Sequence, residues 1–132
     1  MDKRIQVLAM LAAVLLTFAL EVRAVDAPVP YISGGTGADA REALHAKEKD
    51  YNLKIIVADK SGDYLAGVKV VIESAQKAQV LDTTMEGPIL LAKLPPGTYT
   101  IRATSNDQKL TRTVTIAAQG LQQVDLRWDV SK

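Results

Sequence analysis

The chain has 132 residues, with 16 Lys+Arg against 15 Asp+Glu, a single histidine and no cysteine. So even a balance, without a run of like charge, creates no field to draw in nucleic acid or an anionic membrane. The absence of Cys excludes disulfide stapling, thiol chemistry and a lipid anchor on cysteine, so the fold must hold itself by burial.

Lys3 and Arg4 make a basic start, residues 7–20 are uncharged, and Val22-Arg23-Ala24 places short side chains at the two positions a signal peptidase reads. Residues 1–24 therefore read as a secretory signal peptide. A spanning helix needs about 20 apolar residues, and Glu21 and Arg23 interrupt this run first. Cleavage after Ala24 would leave 108 of the 132 residues, with 13 charges of each sign remaining from the 16 and 15. The expected location is the periplasm or the exterior, without stable membrane insertion after cleavage.

Residues 25–38 hold Pro28, Pro30 and the run Ser33-Gly34-Gly35-Thr36-Gly37. They show no apolar periodicity and read as an extended, flexible linker. The glycines invite a phosphate-loop reading, but no strand precedes them and no Gly-Lys-Ser/Thr closes them. Asp39 followed by Glu42 resembles a capping box, and Ala40, Ala43 and Leu44 fall at helical spacing. A short helix is expected within residues 39–50, lying against the domain because its apolar face is thin.

From Tyr51 onward the pattern is short alternating runs between turn signals, the spacing of a sandwich or barrel. Strands are expected at residues 52–58, 68–73, 79–84, 89–94, 98–105, 110–116 and 121–128. Pro96 and Gly97 in Leu94-Pro95-Pro96-Gly97 have the chemistry of a type II turn, which predicts a tight hairpin between the fourth and fifth strands. The fold class is all-β: a seven-stranded Greek-key sandwich at residues 51–129, behind the signal peptide and short helix. Its inward residues are read as Leu53, Ile55, Val57, Val68, Val70, Ile72, Leu91, Tyr99, Ile101, Val114, Ile116, Val124, Leu126 and Trp128.

Three motifs occur in order: Asp59-Lys60-Ser61-Gly62-Asp63 leading into Ala66-Gly67-Val68-Lys69-Val70; Asp82-Thr83-Thr84 with Met85-Glu86-Gly87; and Leu94-Pro95-Pro96-Gly97-Thr98-Tyr99. Together they resemble the carboxypeptidase regulatory-like domain over about residues 52–128. The resemblance implies a transthyretin (prealbumin)-like sandwich, related to the non-catalytic module appended to some metallocarboxypeptidases. Residues 31–53 also resemble uncharacterised exported bacterial proteins carrying this domain. In that family the module is mostly a structural or binding accessory.

No catalytic constellation accompanies it. His45 and Glu48 match a His-x-x-Glu zinc spacing, but His45 is the sole imidazole and a catalytic zinc usually takes three protein ligands. No catalytic residue, cofactor site or metal site is assigned. The hydrolase branch of the transthyretin fold looks for several histidines and a C-terminal Tyr-Arg-Gly-Ser, whereas this chain ends Arg127-Trp128-Asp129-Val130-Ser131-Lys132. The expected function is that of an exported, non-catalytic binding or structural module of the cell envelope, with a protein or glycan partner and no nucleic acid. The alternative is a small metal protein or hydrolase using carboxylates such as Asp59, Asp63 and Glu86. The candidate partner surface comprises Tyr64, an exposed aromatic in the first turn region, and the outward row Thr98, Thr100, Arg102, Thr111 and Thr113. Solvation is the favoured reading of that threonine-rich row, because the propensity of β-branched polar residues for a sheet face accounts for it alone. Arg112 falls on the inward side and is expected at the sandwich rim.

Overall fold

The computed structural model describes residues 29–129, so residues 1–24, read from the sequence as a signal peptide, lie outside the described residues. Eight strands form two four-stranded sheets, one more strand than the sequence pattern predicts. The first sheet holds β1 (Tyr31–Gly34), β5 (Ile89–Ala92), β2 (Leu53–Asp59) and β8 (Gln122–Trp128), in that order across the sheet. The second holds β4 (Gln79–Thr84), β3 (Lys69–Ser74), β6 (Gly97–Ser105) and β7 (Gln108–Ile116). All neighbours run antiparallel except β2 and β8, which are parallel from Leu53↔Gln122 to Asp59↔Trp128. Alternation along β2, β3, β6 and β8 points Leu53, Ile55, Val57, Val70, Ile72, Tyr99, Ile101, Leu126 and Trp128 into one buried cluster between the sheets.

Two predicted features are corrected on the path from β5 to β6. These strands do not form a hairpin: β5 pairs with β1 and β2 in one sheet, and β6 pairs with β3 and β7 in the other. Leu94-Pro95-Pro96-Gly97 is instead a crossover between sheets, and Gly97 has φ +154°, far from the roughly +80° of a type II corner. Side chains hold this crossover. Asn52 Nδ2 donates to the Leu94 carbonyl at 2.7 Å while its Oδ1 accepts from the Leu94 amide at 2.8 Å. The Tyr99 hydroxyl donates to the Pro95 carbonyl at 2.6 Å, and burial raises the pKa of that phenol. The second correction concerns β5, which is buried on both faces. Leu90 and Ala92 join the core between the sheets, whereas Leu91, although fully buried, faces the other way.

The outer face of the first sheet is covered from the N-terminal side. Residues 31–34, read from the sequence as linker, are strand β1, and their glycines serve close packing. A Cβ on Gly87 would lie 2.5 Å from the Gly34 carbonyl oxygen, and one on Gly35 would lie 3.1 Å from Ile89 Cδ1. The Ser33 hydroxyl accepts from the Glu86 amide at 3.1 Å, tying the same two segments together. Helix α1 (Ala38–Lys47) follows, then a 3-10 turn (Glu48–Asp50). Asp39 lies inside the first turn; Gly37 is the N-cap and no side chain caps it, so the expected capping box does not form. The helix is docked by Leu44, whose Cδ1 is 3.8 Å from where a Gly34 Cβ would stand, and by Lys54 Nζ donating to Glu48 Oε2 at 2.6 Å.

Both open sides of the sandwich are bridged. On one side Tyr31 Oη donates to Thr83 Oγ1 at 3.1 Å. On the other, the buried indole of Trp128 donates to the Gln108 carbonyl at 2.9 Å. The second sheet holds two hairpins, β3 to β4 and β6 to β7, and the latter turns at Asn106 (φ 48°) and Asp107 (φ 67°), the two positive values that a type I′ turn requires.

Two outcomes follow for denaturant unfolding monitored by Trp128 fluorescence. Gly87→Ala should lower stability by about 1 to 3 kcal/mol, because its methyl group must push the β1 backbone away. Asn52→Ala, which strands both Leu94 backbone groups, should cost more than Tyr99→Phe, which removes one bond worth about 1 kcal/mol. Equal midpoints for Asn52→Ala and the parent would show that the crossover is held by something else.

Candidate functional site

The most exposed large apolar side chain among the described residues is Tyr64, at 53%. Its position begins with Asp59 at the end of β2. One carboxylate oxygen, Oδ1, accepts from the Ser61 amide (2.9 Å), the Ser61 hydroxyl (2.5 Å) and the Asp63 amide (3.0 Å). The Asp59 amide donates back to the Asp63 carbonyl at 2.9 Å, closing a tight turn with Gly62 at φ +101°. The chain leaving this turn lies antiparallel beside β2, pairing Tyr64 with Ala58. Arg41 of α1 stands over the Tyr64 ring, its guanidinium carbon 5.2 Å from the centroid, and donates to the Gly35 carbonyl at 3.4 Å. A cation at that distance is attracted by the ring's quadrupole.

Tyr64 borders two hollows. The first, about 170 Å³, is lined by Gly35, Thr36, Gly37, Arg41, Leu65 and Pro88 among others. The second, about 240 Å³, lies between Tyr64 and the outward row of β8: Gln123, Asp125 and Arg127, with Ile56 and Ala58 beneath. Gln123 Nε2 donates to Asp125 Oδ1 at 3.1 Å, and Arg127 reaches the Asp59 carbonyl at 3.5 Å. These side chains face outward because Leu126 and Trp128 alternate with them into the core.

The sequence-predicted surface divides in two. Thr98, Thr100 and Arg102 on β6 sit opposite Thr115, Thr113 and Thr111 on β7, forming one outer face of the second sheet. Arg102 is paired with Glu73 at 2.6 Å on the same face. Tyr64 belongs elsewhere, with the first sheet and α1. Arg112 is exposed and donates to the Thr111 carbonyl at 3.1 Å, at the rim as the alternation implies. Sequence reasoning missed Arg41, Gln123, Asp125 and Arg127 as neighbours of Tyr64. The outward β8 positions were legible from alternation, but their proximity to Tyr64 depends on the parallel β2–β8 pairing.

Of the carboxylates in the alternative reading, Asp59 closes its own turn, Asp63 accepts from the Ser61 hydroxyl at 3.4 Å, and Glu86 is exposed, its backbone amide bound to Ser33 where β1 meets the segment before β5. His45, 78% exposed, lies 3.2 Å from Glu48, whose pKa is lowered chiefly by the Lys54 hydrogen bond. Among the described residues no group of three or more His, Asp and Glu is placed to hold a metal ion, and every buried side-chain nitrogen and oxygen has a partner. A further cleft lies at the end of the sandwich, where Asn52, Lys93 and Ala118 border a hollow of about 440 Å³ with Val29, Pro30, Leu94, Pro95 and Pro96. No protein-family model matches the chain, and no curated protein matches it.

The Ser61 hydroxyl, followed by the Asp63, Ser61 and Gly62 amides, holds the Asp59 pKa below the ordinary value. A depressed carboxylate contributes stability above its unfolded pKa, near 3.9, and that contribution is lost as pH falls through the folded pKa. The melting temperature of Asp59→Asn should therefore lie below the parent's at neutral pH. The two curves should converge as pH drops from about 4 toward 2. A constant gap across that range would show that Asp59 acts through geometry alone.

Proposed function

We propose that this chain is an exported, non-catalytic β-sandwich module of the cell envelope that binds a protein or a glycan. Tyr64 carries the binding half of this reading: an aromatic side chain with Arg41 over its ring, more than half exposed, and bordered by two hollows. Exposed rigid aromatics supply contact area at small conformational cost, and binding sites concentrate in concave places with a few convergent polar groups. The Asp59-to-Val70 and Leu94-to-Tyr99 motifs support kinship with carboxypeptidase regulatory-like domains, accessory modules with a prealbumin-like Greek-key sandwich. The basic, apolar and small-residue order of residues 1–24 supports export by a cleaved signal.

Fractionation and N-terminal sequencing test the first half: the mature chain should begin at Val25 and appear in the periplasmic or secreted fraction. Met1 retained in a membrane fraction would overturn export. For the second half, the purified mature protein should co-sediment with isolated cell envelope and not with a protein-free, glycan-free lipid control. Equal recovery in both pellets would overturn the binding reading.

A further inference from the structure

We infer that the hollow between Tyr64 and β8 is a saccharide subsite, an inference that rests on the binding-module reading and names the ligand class at its site. A sugar ring presents a flat C–H face and a rim of hydroxyls that both donate and accept. Its recognition needs a fixed apolar plane beside donors and acceptors set at its edge. Tyr64 supplies the plane: its backbone is paired with Ala58, and Arg41 stands over its ring. Asp125 supplies acceptors, Arg127 donors and Gln123 both, all from alternate positions of one strand.

Their existing bonds leave capacity for such a ligand. The Asp125 carboxylate accepts one bond from Gln123, while a carboxylate offers about four lone-pair directions. Arg127 has five N–H donors and makes one contact with Asp59, at 3.5 Å. A phosphate or other anion is disfavoured because Asp125 projects into the same hollow. The volume, about 240 Å³, falls below the roughly 300–1,000 Å³ of pockets for drug-sized ligands, which suits a single ring of a longer chain. The second hollow across Tyr64, with Thr36 and Arg41, gives the neighbouring ring somewhere to continue. The ligand class is thus a neutral oligosaccharide lying across Tyr64.

The test is an amide-resolved NMR titration of the mature protein with soluble oligomers of glucose and, separately, of N-acetylglucosamine. Saturable shifts should appear at Tyr64 and along residues 123–127 with at least one of these probes. Tyr64→Ala and Asp125→Ala should each weaken binding tenfold or more, and Tyr64→Phe, which keeps the ring, should bind within about threefold of the parent. The Trp128-reported melting curve identifies any variant that has lost its fold, and Tyr64→Phe against Tyr64→Ala then decides the point. No saturable shift with either probe at about 10 mM, a weak-binding limit for small ligands, overturns the inference. So do shifts confined to the threonine face. Envelope co-sedimentation that survives Tyr64→Ala overturns the saccharide subsite while leaving the module's binding function standing, so the two failures are distinguishable.

Discussion

The crossover at Leu94-Pro95-Pro96-Gly97 is the constraint on which the sandwich depends, because there the chain leaves one sheet and enters the other. Two successive prolines provide no amide donors, so this segment cannot extend either ladder. Its remaining polar groups are instead met from the flanks. Asn52 copies a strand's paired donor and acceptor to Leu94, and Tyr99 reaches back to Pro95. Asn52 is the residue before β2, and its own backbone donates to Ala92 and accepts from Gln122. One position thus joins β5, β2, β8 and the crossover, fixing the register of the first sheet as it releases the chain to the second.

Given that exit, the two-sided burial of β5 has a physical cause. A strand between β1 and β2, with the second sheet beneath it, needs cover above as well, and α1 with its 3-10 turn lies on that upper side. The helix has little apolar surface of its own and no buried residue. It is positioned by Leu44 over β1 and by the half-buried pair Glu48–Lys54. The pair's worth is limited by its partial exposure. Gly87 lets its backbone meet that of Gly34, and Gly35 leaves room for the Ile89 side chain, so that this layer packs closely.

Alternation made much of the fold legible. Residues of β2, β3, β6, β7 and β8 announce themselves with period two, and the inward sets named from sequence lie between the sheets, with Val124 only partly buried there. The legible features are local ones. Sheet membership is not local: Pro-Pro-Gly has the same turn chemistry whether the chain folds back on its neighbour or crosses to another layer. For the same reason Leu91 could not be assigned a face, since an all-apolar run such as Ile89-Leu90-Leu91-Ala92 has no periodicity to read. β1 escaped because Gly34, Gly35 and Gly37 signal flexibility in a sequence, whereas here Gly34 lies against Gly87, whose missing Cβ lets the two backbones meet. The threonine face was readable as a face, and Tyr64 as exposed. That the outward row of β8 lies opposite Tyr64 was not, because parallel pairing joins strands separated by more than sixty residues.

That long-range pairing also explains why the surface beside Tyr64 is concave. α1 covers the β1 and β5 side of the first sheet, and β8 forms its opposite edge, so the helix and the Asp59 turn leave the outward residues of β8 standing beside an uncovered strip. Asp59 organises this strip through its own turn: its Oδ1 takes the Ser61 hydroxyl and the Ser61 and Asp63 amides, and its carbonyl meets Gly62 and Arg127. Bonds directed at its own turn fix the backbone from which Tyr64 projects, and Arg41 stands over one face of the Tyr64 ring, which leaves the rest of that ring as an exposed plane beside the β8 row.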